Sequence, residues 1–204
     1  GINMQKIDPL QFRQPWWFRT NFILSDKDMG KNVSLHFNGI NYRADLWVNG
    51  RKIADKEEFA GTYRMFTFNI DDCKKAGENT IALKIWPFAD GEYSMGFVDW
   101  NPLPLDRNLG IFREVFLEIN EGIKIRSPFV YSKVKQENTA ELFIKTELIN
   151  SSGKEIKGII RIDYDLGIVE KKVVLQPGDT LSCHFDPSEF SQLTVNDAEL
   201  WWPN

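Results

Sequence analysis

Metal-binding and cross-linking residues are scarce in this chain. Its 204 residues include two histidines, His36 and His184, and two cysteines, Cys73 and Cys183. Two of each cannot assemble a Cys/His metal cluster at the usual spacing, although a calcium site built from oxygen ligands stays open. The cysteines fall in different halves of the chain, which argues against a disulfide. No apolar run approaches the roughly 18 residues needed to span a bilayer as a helix. The opening Gly1-Ile2-Asn3-Met4 has neither the basic segment nor the apolar core of a signal peptide. It does not begin with Met, so the expectation is a processed or excised piece whose terminus says nothing about export. Positive charge is not concentrated anywhere: the net charge is -4 and both signs are interspersed, which argues against nucleic acid as a partner. Helical periodicity is missing as well, and the best helical candidate is a single turn near 71–76.

Apolar and aromatic residues are plentiful. Hydrophobic residues make up 42% and charged residues 26%, a balance that supports a packed core rather than a disordered chain. The length suits two domains of about 100 residues each. The 7 Trp and 15 Phe carry two readings: indole faces that stack on sugar rings, or ordinary core packing. The dominant pattern is period two. Val33, Leu35 and Phe37 alternate with Ser34, His36 and Asn38. Phe66, Phe68 and Ile70 form a second apolar row, and Ile81, Leu83 and Ile85 a third. Each reads as an antiparallel strand with one face in the core. Asn49-Gly50 between two such runs predicts a type I′ hairpin turn. Asn150-Ser151-Ser152-Gly153 and Pro177-Gly178-Asp179 predict further turns. Asn32-Val33-Ser34 and Asn150-Ser151-Ser152 also match the N-glycosylation tripeptide, a pattern that recurs by chance.

A boundary falls near Glu121-Gly122, giving domains 1–121 and 122–204. Strands before it are aromatic and separated by long loops; strands after it are longer, richer in Lys, Glu, Ile and Val, and joined by short turns. The second half predicts strands near 123–135, 139–149, 156–165, 168–176 and 180–186, with 198–201 as a sixth candidate. Their order resembles an immunoglobulin-like sandwich, which has about seven strands, so this domain reads as truncated. One stretch, between Pro87 and Ile111, breaks the strand rhythm for about 25 residues, a length that in compact domains usually marks functional or disordered loops. Its Tyr, Trp and Phe residues argue for order.

Several motifs recur in a recognisable sequence. Trp16-Trp17-Phe18-Arg19 opens the first strong strand, and Arg43-Ala44-Asp45-Leu46-Trp47-Val48-Asn49-Gly50-Arg51 forms a strand and turn. Gly61-Thr62-Tyr63 precedes Phe66-Thr67-Phe68, and Asn79 to Ile85 is the next strand. Asp99-Trp100-Asn101-Pro102 lies in the long loop, Gly110-Ile111-Phe112-Arg113-Glu114-Val115 follows it, and Leu200-Trp201-Trp202-Pro203-Asn204 closes the chain. In this order and spacing they resemble the front end of family 2 glycoside hydrolases. The resemblance implies an all-β chain: a galactose-binding-like jelly-roll β-sandwich, the sugar-binding domain, followed by an immunoglobulin-like β-sandwich. The loop motif with Asp106-Arg107-Asn108-Leu109-Gly110-Ile111 looks more like β-mannosidases and exo-β-glucosaminidases than β-galactosidases or β-glucuronidases.

Family members carry two catalytic glutamates on a (β/α)₈ barrel that follows these domains. Retaining hydrolysis needs two carboxyl groups about 5 Å apart, and a barrel needs roughly 200–250 residues. The resemblance therefore implies a fragment with no catalytic residue, no metal and no cofactor, from a retaining exo-β-glycosidase of carbohydrate metabolism. Glu57-Glu58, Glu92 and Glu114 read as surface or structural charges; successive strand residues such as Glu57 and Glu58 point to opposite faces. Asp99, Trp100 and Asn101 are the expected substrate-binding residues: a carboxylate accepts from a vicinal diol, an indole stacks on the ring, and an amide donates to a hydroxyl. The alternative is that Trp100 packs the jelly roll and Asp99 caps a turn. Arg107, near Asp106 and Asp99, reads as a lock on the loop. Trp16, Trp17 and Trp47 read as core or domain-interface residues. The implied partners are a β-linked glycoside and the catalytic barrel, in a periplasmic or extracellular setting. An autonomous carbohydrate-binding module and a purely structural pair of sandwiches stay open, because fold alone does not decide function.

Overall fold

The computed structural model describes residues 6–94, 104–135 and 138–201. It is all-β, and it divides into two compact units, Gly1–Ile119 and Asn120–Asn204. The expected architecture, a jelly roll followed by an immunoglobulin-like sandwich, holds.

The first unit contains β1 (Trp16–Leu24), β2 (Asn32–Phe37), β3 (Ile40–Asn41), β4 (Arg43–Val48), β5 (Arg51–Ala54), β6 (Phe66–Asn69), β7 (Gly77–Trp86), β8 (Gly110–Ile111) and β9 (Val115–Asn120). They form a four-stranded sheet β1-β7-β4-β5, a three-stranded sheet β6-β2-β9 and a short pair β3-β8. The predicted alternating rows supply the core. Val33, Leu35 and Phe37 of β2 are fully buried and join Ala44, Leu46 and Val48 of β4 and Ile81, Leu83 and Ile85 of β7 in one cluster. Phe59 sits among these residues, edge-on to Phe37, Phe66 and Phe68 at centroid distances of 5.0, 4.7 and 4.9 Å. Such edge-to-face contacts add to the area burial of each ring.

At the β4–β5 turn Asn49 and Gly50 both adopt positive φ, 51° and 83°, as a type I′ turn requires. The Asn49 side chain then ties the turn to the next hairpin. Its Nδ2 donates to Cys73 O and to Asn79 Oδ1 at 2.8 and 2.7 Å, and its Oδ1 accepts from Thr80 N. The helical turn expected near 71–76 is a single turn in which Lys74 N donates to Ile70 O.

The second unit contains β10 (Ile123–Val134), β11 (Ala140–Asn150), β12 (Ile156–Tyr164), β13 (Gly167–Leu175), β14 (Thr180–Phe185) and β15 (Thr194–Val195). The sheets are β10-β11-β14, with β15 also on β11, and the pair β12-β13. Ile144, Leu148, Ile160, Val169, Leu175, Phe185 and Leu193 fill the space between them. Among the described residues β12 is paired on one side only, and an apolar cleft of about 440 Å³ opens beside it, lined by Ile123, Ile125 and Leu148 on one wall and Ile156 and Ile160 on the other. The five long strands lie where the sequence predicts them. The sixth candidate does not: 198–201 is not a strand, and the additional strand is Thr194–Val195. The φ of 54° at Asp197 turns the chain away from strand geometry just before that segment, and Trp201 is 83% exposed.

Both cysteine thiols are free. Asn150, the second tripeptide asparagine, is fully buried. Its Nδ2 donates to the carbonyls of Lys154, Leu175 and Gln176 at 2.7, 3.1 and 3.0 Å. Its Oδ1 accepts from Ser152 N and Oγ. This residue fastens two turns together, and its amide is inaccessible in the folded chain.

Candidate functional site

Asp99, Trp100 and Asn101 lie outside the described residues. What the structure gives is the base from which their loop rises: its limbs at 87–94 and 104–110, and the strand segment that receives both.

That segment is Asn41 to Arg43. Asn41 ends β3 and pairs with Gly110 of β8, so the returning limb docks beside it. The strand pair is close here because residue 39 is glycine. A Cβ at Gly39 would stand 2.6 Å from the Phe112 ring, and Phe112 N donates to Gly39 O. The Asn41 side chain is completely buried. Its Nδ2 donates to the carbonyls of Arg107 and Asn108 at 3.1 and 3.0 Å. Its Oδ1 accepts from the Thr62 hydroxyl at 2.7 Å, and Thr62 is itself buried. Arg107 and Asn108 both adopt left-handed φ, 54° and 50°. Such conformations cost about 1–3 kcal/mol each in non-glycine residues and persist where the surroundings over-determine them.

Arg43, two residues on, receives the outgoing limb through an ion pair with Glu92. The other Glu92 oxygen accepts from Ala89 N at 2.6 Å, closing a turn whose backbone bond runs from Glu92 N to Ala89 O. Glu92 is thus a structural charge, as expected. The limbs also meet each other. The Arg107 guanidinium lies over the Phe88 ring, 4.2 Å from its centroid, and 3.6 Å from the Asp90 carboxylate. Arg107 therefore braces the loop, but through Phe88 and Asp90. Asp106, one of the two acids expected to hold it, instead caps its own turn by accepting from Asn108 N at 3.0 Å.

A second aromatic group occupies the outer face of the β1-β7-β4-β5 sheet. Trp17 is 60% exposed and lies 5.1 Å from Trp47. In this sheet the odd positions of β1 and β4 face away from the core rows, which places Trp17 and Trp47 outside it. Of the reading of these residues as core or domain-interface, the core half is therefore corrected. Trp16 is also substantially exposed; it stacks on Phe12 at 5.3 Å and donates its Nε1 to Gln11 O. Lysines cover the outer rings: Lys52 over Trp47, Lys84 over both Trp17 and Trp86, and Lys56 over Trp86. Asp45 anchors the array, accepting from Trp86 Nε1 at 2.8 Å and pairing with Lys52 Nζ at 2.8 Å. Burial disfavours its carboxylate, but the hydrogen bonds from Lys52 and Trp86 outweigh that and hold its pKa below the usual range.

Sequence reasoning missed Asn41 and Thr62 and assigned Arg43 no role at the loop. The available signal was slight: a polar Asn directly after Ile40 in a two-residue strand. Among the described residues no group of three or more His, Cys, Asp or Glu could hold a metal, and no helix is long and apolar enough to cross a membrane.

Residues 1–90 match the family described as glycosyl hydrolase 2 galactose-binding domain-like. The exo-β-D-glucosaminidase of Amycolatopsis orientalis is 30% identical over 205 residues, covering 100% of this chain and 19% of the relative. That of Streptomyces avermitilis is 29% identical, covering 100% of this chain and 23% of the relative. A solved complex of Amycolatopsis orientalis exo-chitosanase CsxA with PNP-β-D-glucosamine superposes with a TM-score of 0.89 at 28% identity, over 100% of this chain and 23% of that one. The chain thus spans about a fifth of the length of these relatives. Of the two subgroups that the loop motif resembles, these relatives support the exo-β-glucosaminidases. Residues 1–90 thus match the family 2 galactose-binding-like domain, and the whole chain is similar in sequence and fold to a portion of exo-β-D-glucosaminidases.

Proposed function

We propose that this chain is the sugar-binding and spacer portion of a retaining exo-β-glycosidase of carbohydrate metabolism, acting on β-linked glucosaminides, and that it does not cleave glycosidic bonds by itself. Residues 1–121 serve as the jelly-roll sugar-binding domain and 122–204 as the immunoglobulin-like spacer. The catalytic carboxylates belong to a barrel elsewhere in the longer protein. Asp99, Trp100 and Asn101 contribute one wall of the sugar pocket, with Asp99 accepting from hydroxyl or ammonium groups and Trp100 stacking on the ring. The observation that carries the reading is the full-length alignment of this chain with exo-β-D-glucosaminidases. The anchoring of both loop limbs to Asn41–Arg43 supports it, since a pocket wall must be held in place.

One wall makes too few contacts to offset the entropy of association. The chain alone is therefore expected to show neither hydrolysis of an aryl β-D-glucosaminide nor calorimetric binding of glucosamine or its short β-linked oligomers. In the longer protein, Asp99→Asn and Trp100→Ala are expected to raise KM for the same aryl glycoside. Sub-millimolar binding by the isolated chain, lost in Asp99→Ala and Trp100→Ala, would instead make it an autonomous binding module. An unchanged KM in the longer protein would remove the loop from the pocket.

A further inference from the structure

We infer that Asn41, held in orientation by Thr62, is the positioning residue for the returning limb of the long loop, and that Arg43 does the same for the outgoing limb through Glu92. The functional value of this rests on the loop-and-pocket reading above; the positioning itself is testable without any sugar.

Three observations carry it. First, the Asn41 side chain reaches past its own strand pairing. Its backbone meets Gly110 in the β3–β8 ladder, while its amide goes on to the carbonyls of Arg107 and Asn108, beyond the start of β8 and inside the loop. Secondly, the limb's own backbone bonds, Arg107 N to Pro104 O and Leu109 N to Asp106 O, close local turns and do not fasten them to the body of the unit. The amide of Asn41 does, and it meets the limb where two successive residues hold left-handed φ. Thirdly, the amide has a defined sense. An Asn side chain rotated by half a turn would present its oxygen to two carbonyls. The Thr62 hydroxyl, donating to Oδ1 at 2.7 Å, favours the orientation that donates to them. A hydroxyl more than forty positions from the limb therefore fixes how the limb sits.

Arg43 completes the arrangement. Its partner Glu92 closes the turn from Ala89, and Arg107 joins the limbs across Phe88 and Asp90. The two limbs are thereby referred to one short segment of strand. Residues 41 to 43 are in turn fixed by the core sheet: Tyr42 N donates to Trp86 O, Ala44 N to Phe59 O and Gly61 N to Tyr42 O.

The test is amide hydrogen exchange on the 204-residue chain and on its Thr62→Val, Thr62→Ser and Asn41→Ala variants. Thr62→Val keeps the shape and removes the donor; Thr62→Ser restores it. Exchange at Arg107, Asn108 and Leu109 is expected to rise at least about tenfold in Thr62→Val and Asn41→Ala, as expected for loss of a buried hydrogen bond acting locally. Core amides of β2, β4 and β7 should keep their parental rates, and Thr62→Ser should stay within about twofold at the limb. A uniform loss of protection across the first unit would make the pair a stability element only and overturn the inference. Unchanged limb exchange in Thr62→Val would overturn it too, and that variant decides the matter if Asn41→Ala does not fold. Because no sugar is present, a positive result would survive failure of the pocket reading, and a negative one would leave that reading to the KM measurement.

Discussion

Asn150 offers a sharp test of how the second unit is held together. Its amide has two hydrogens facing three carbonyls, those of Lys154, Leu175 and Gln176, and its oxygen takes the amide and hydroxyl of Ser152. Counting two donated and two accepted bonds at about 1 kcal/mol each, Asn150→Ala should cost roughly 3–4 kcal/mol. In a unit of this size that is a drop of about 15–30 °C in melting temperature. Asn150→Asp should be worse at neutral pH, although it is nearly isosteric, because a buried carboxylate would face carbonyl oxygens and have no proton to give. Burial and those oxygens would raise its folded pKa above the unfolded value. The unfolded state then ionises first, so stability falls as pH rises through the unfolded value and recovers on acidification. Scanning calorimetry of the three proteins at pH 4.5 and 7.5 checks this. If Asn150→Asp were as stable as the parent at pH 7.5, or if Asn150→Ala cost under about 1 kcal/mol, the network would not be what joins these turns.

Two further predictions concern the first unit. Phe59→Ala should destabilise it by about 3–5 kcal/mol, the usual cost of deleting a fully buried ring, whereas Trp17→Ala on the outer face should cost under about 1 kcal/mol; chemical denaturation measures both, and equal losses would return Trp17 to the core. Asp45 has a folded pKa below its unfolded value, so its contribution is fully present above the ordinary aspartate pKa and is lost as pH falls through the lower folded value. Asp45→Asn should therefore be less stable than the parent at pH 7 and should lose less on acidification, which unfolding at a series of pH values between 2 and 7 would reveal.

The fold was legible because alternation and turn chemistry are local. Val33-Leu35-Phe37 and Ile81-Leu83-Ile85 each state in their own residues which face is buried, and Asn49-Gly50 states its own turn. Thr194–Val195 was not legible: two residues are too short for a period, and their pairing with Ala140 and Glu141 is a long-range choice. The loop base was hidden for the same reason. Asn41, Thr62 and Glu92 are distant in sequence from one another and from Arg107, and each alone reads as an ordinary polar residue. Arg107 reads as a lock on the loop because Asp106 and Asp99 are near it in sequence, while the chain path brings Phe88 and Asp90 to it.

The aromatic surplus shows how a compositional signal can mislead about place. Seven Trp in 204 residues invite a search for a sugar platform, and Trp17, Trp47 and Trp86 do gather on one sheet face. Stacking needs an open indole face, yet lysine ammonium groups lie over all three rings at 4.4 to 5.8 Å. A sugar would have to displace cation–π contacts worth about 0.5–1 kcal/mol each at exposed sites. For an amino sugar, its own ammonium would also meet three lysines held near Asp45, whose carboxylate is already engaged by Lys52 and the Trp86 indole. That face disfavours a cationic glycoside on both counts. The loop, with Asp99 beside Trp100, offers an acid and an aromatic ring together. On the pocket reading proposed above, recognition of a glucosaminide falls to Asp99 and Trp100, and the outer tryptophans serve the sheet.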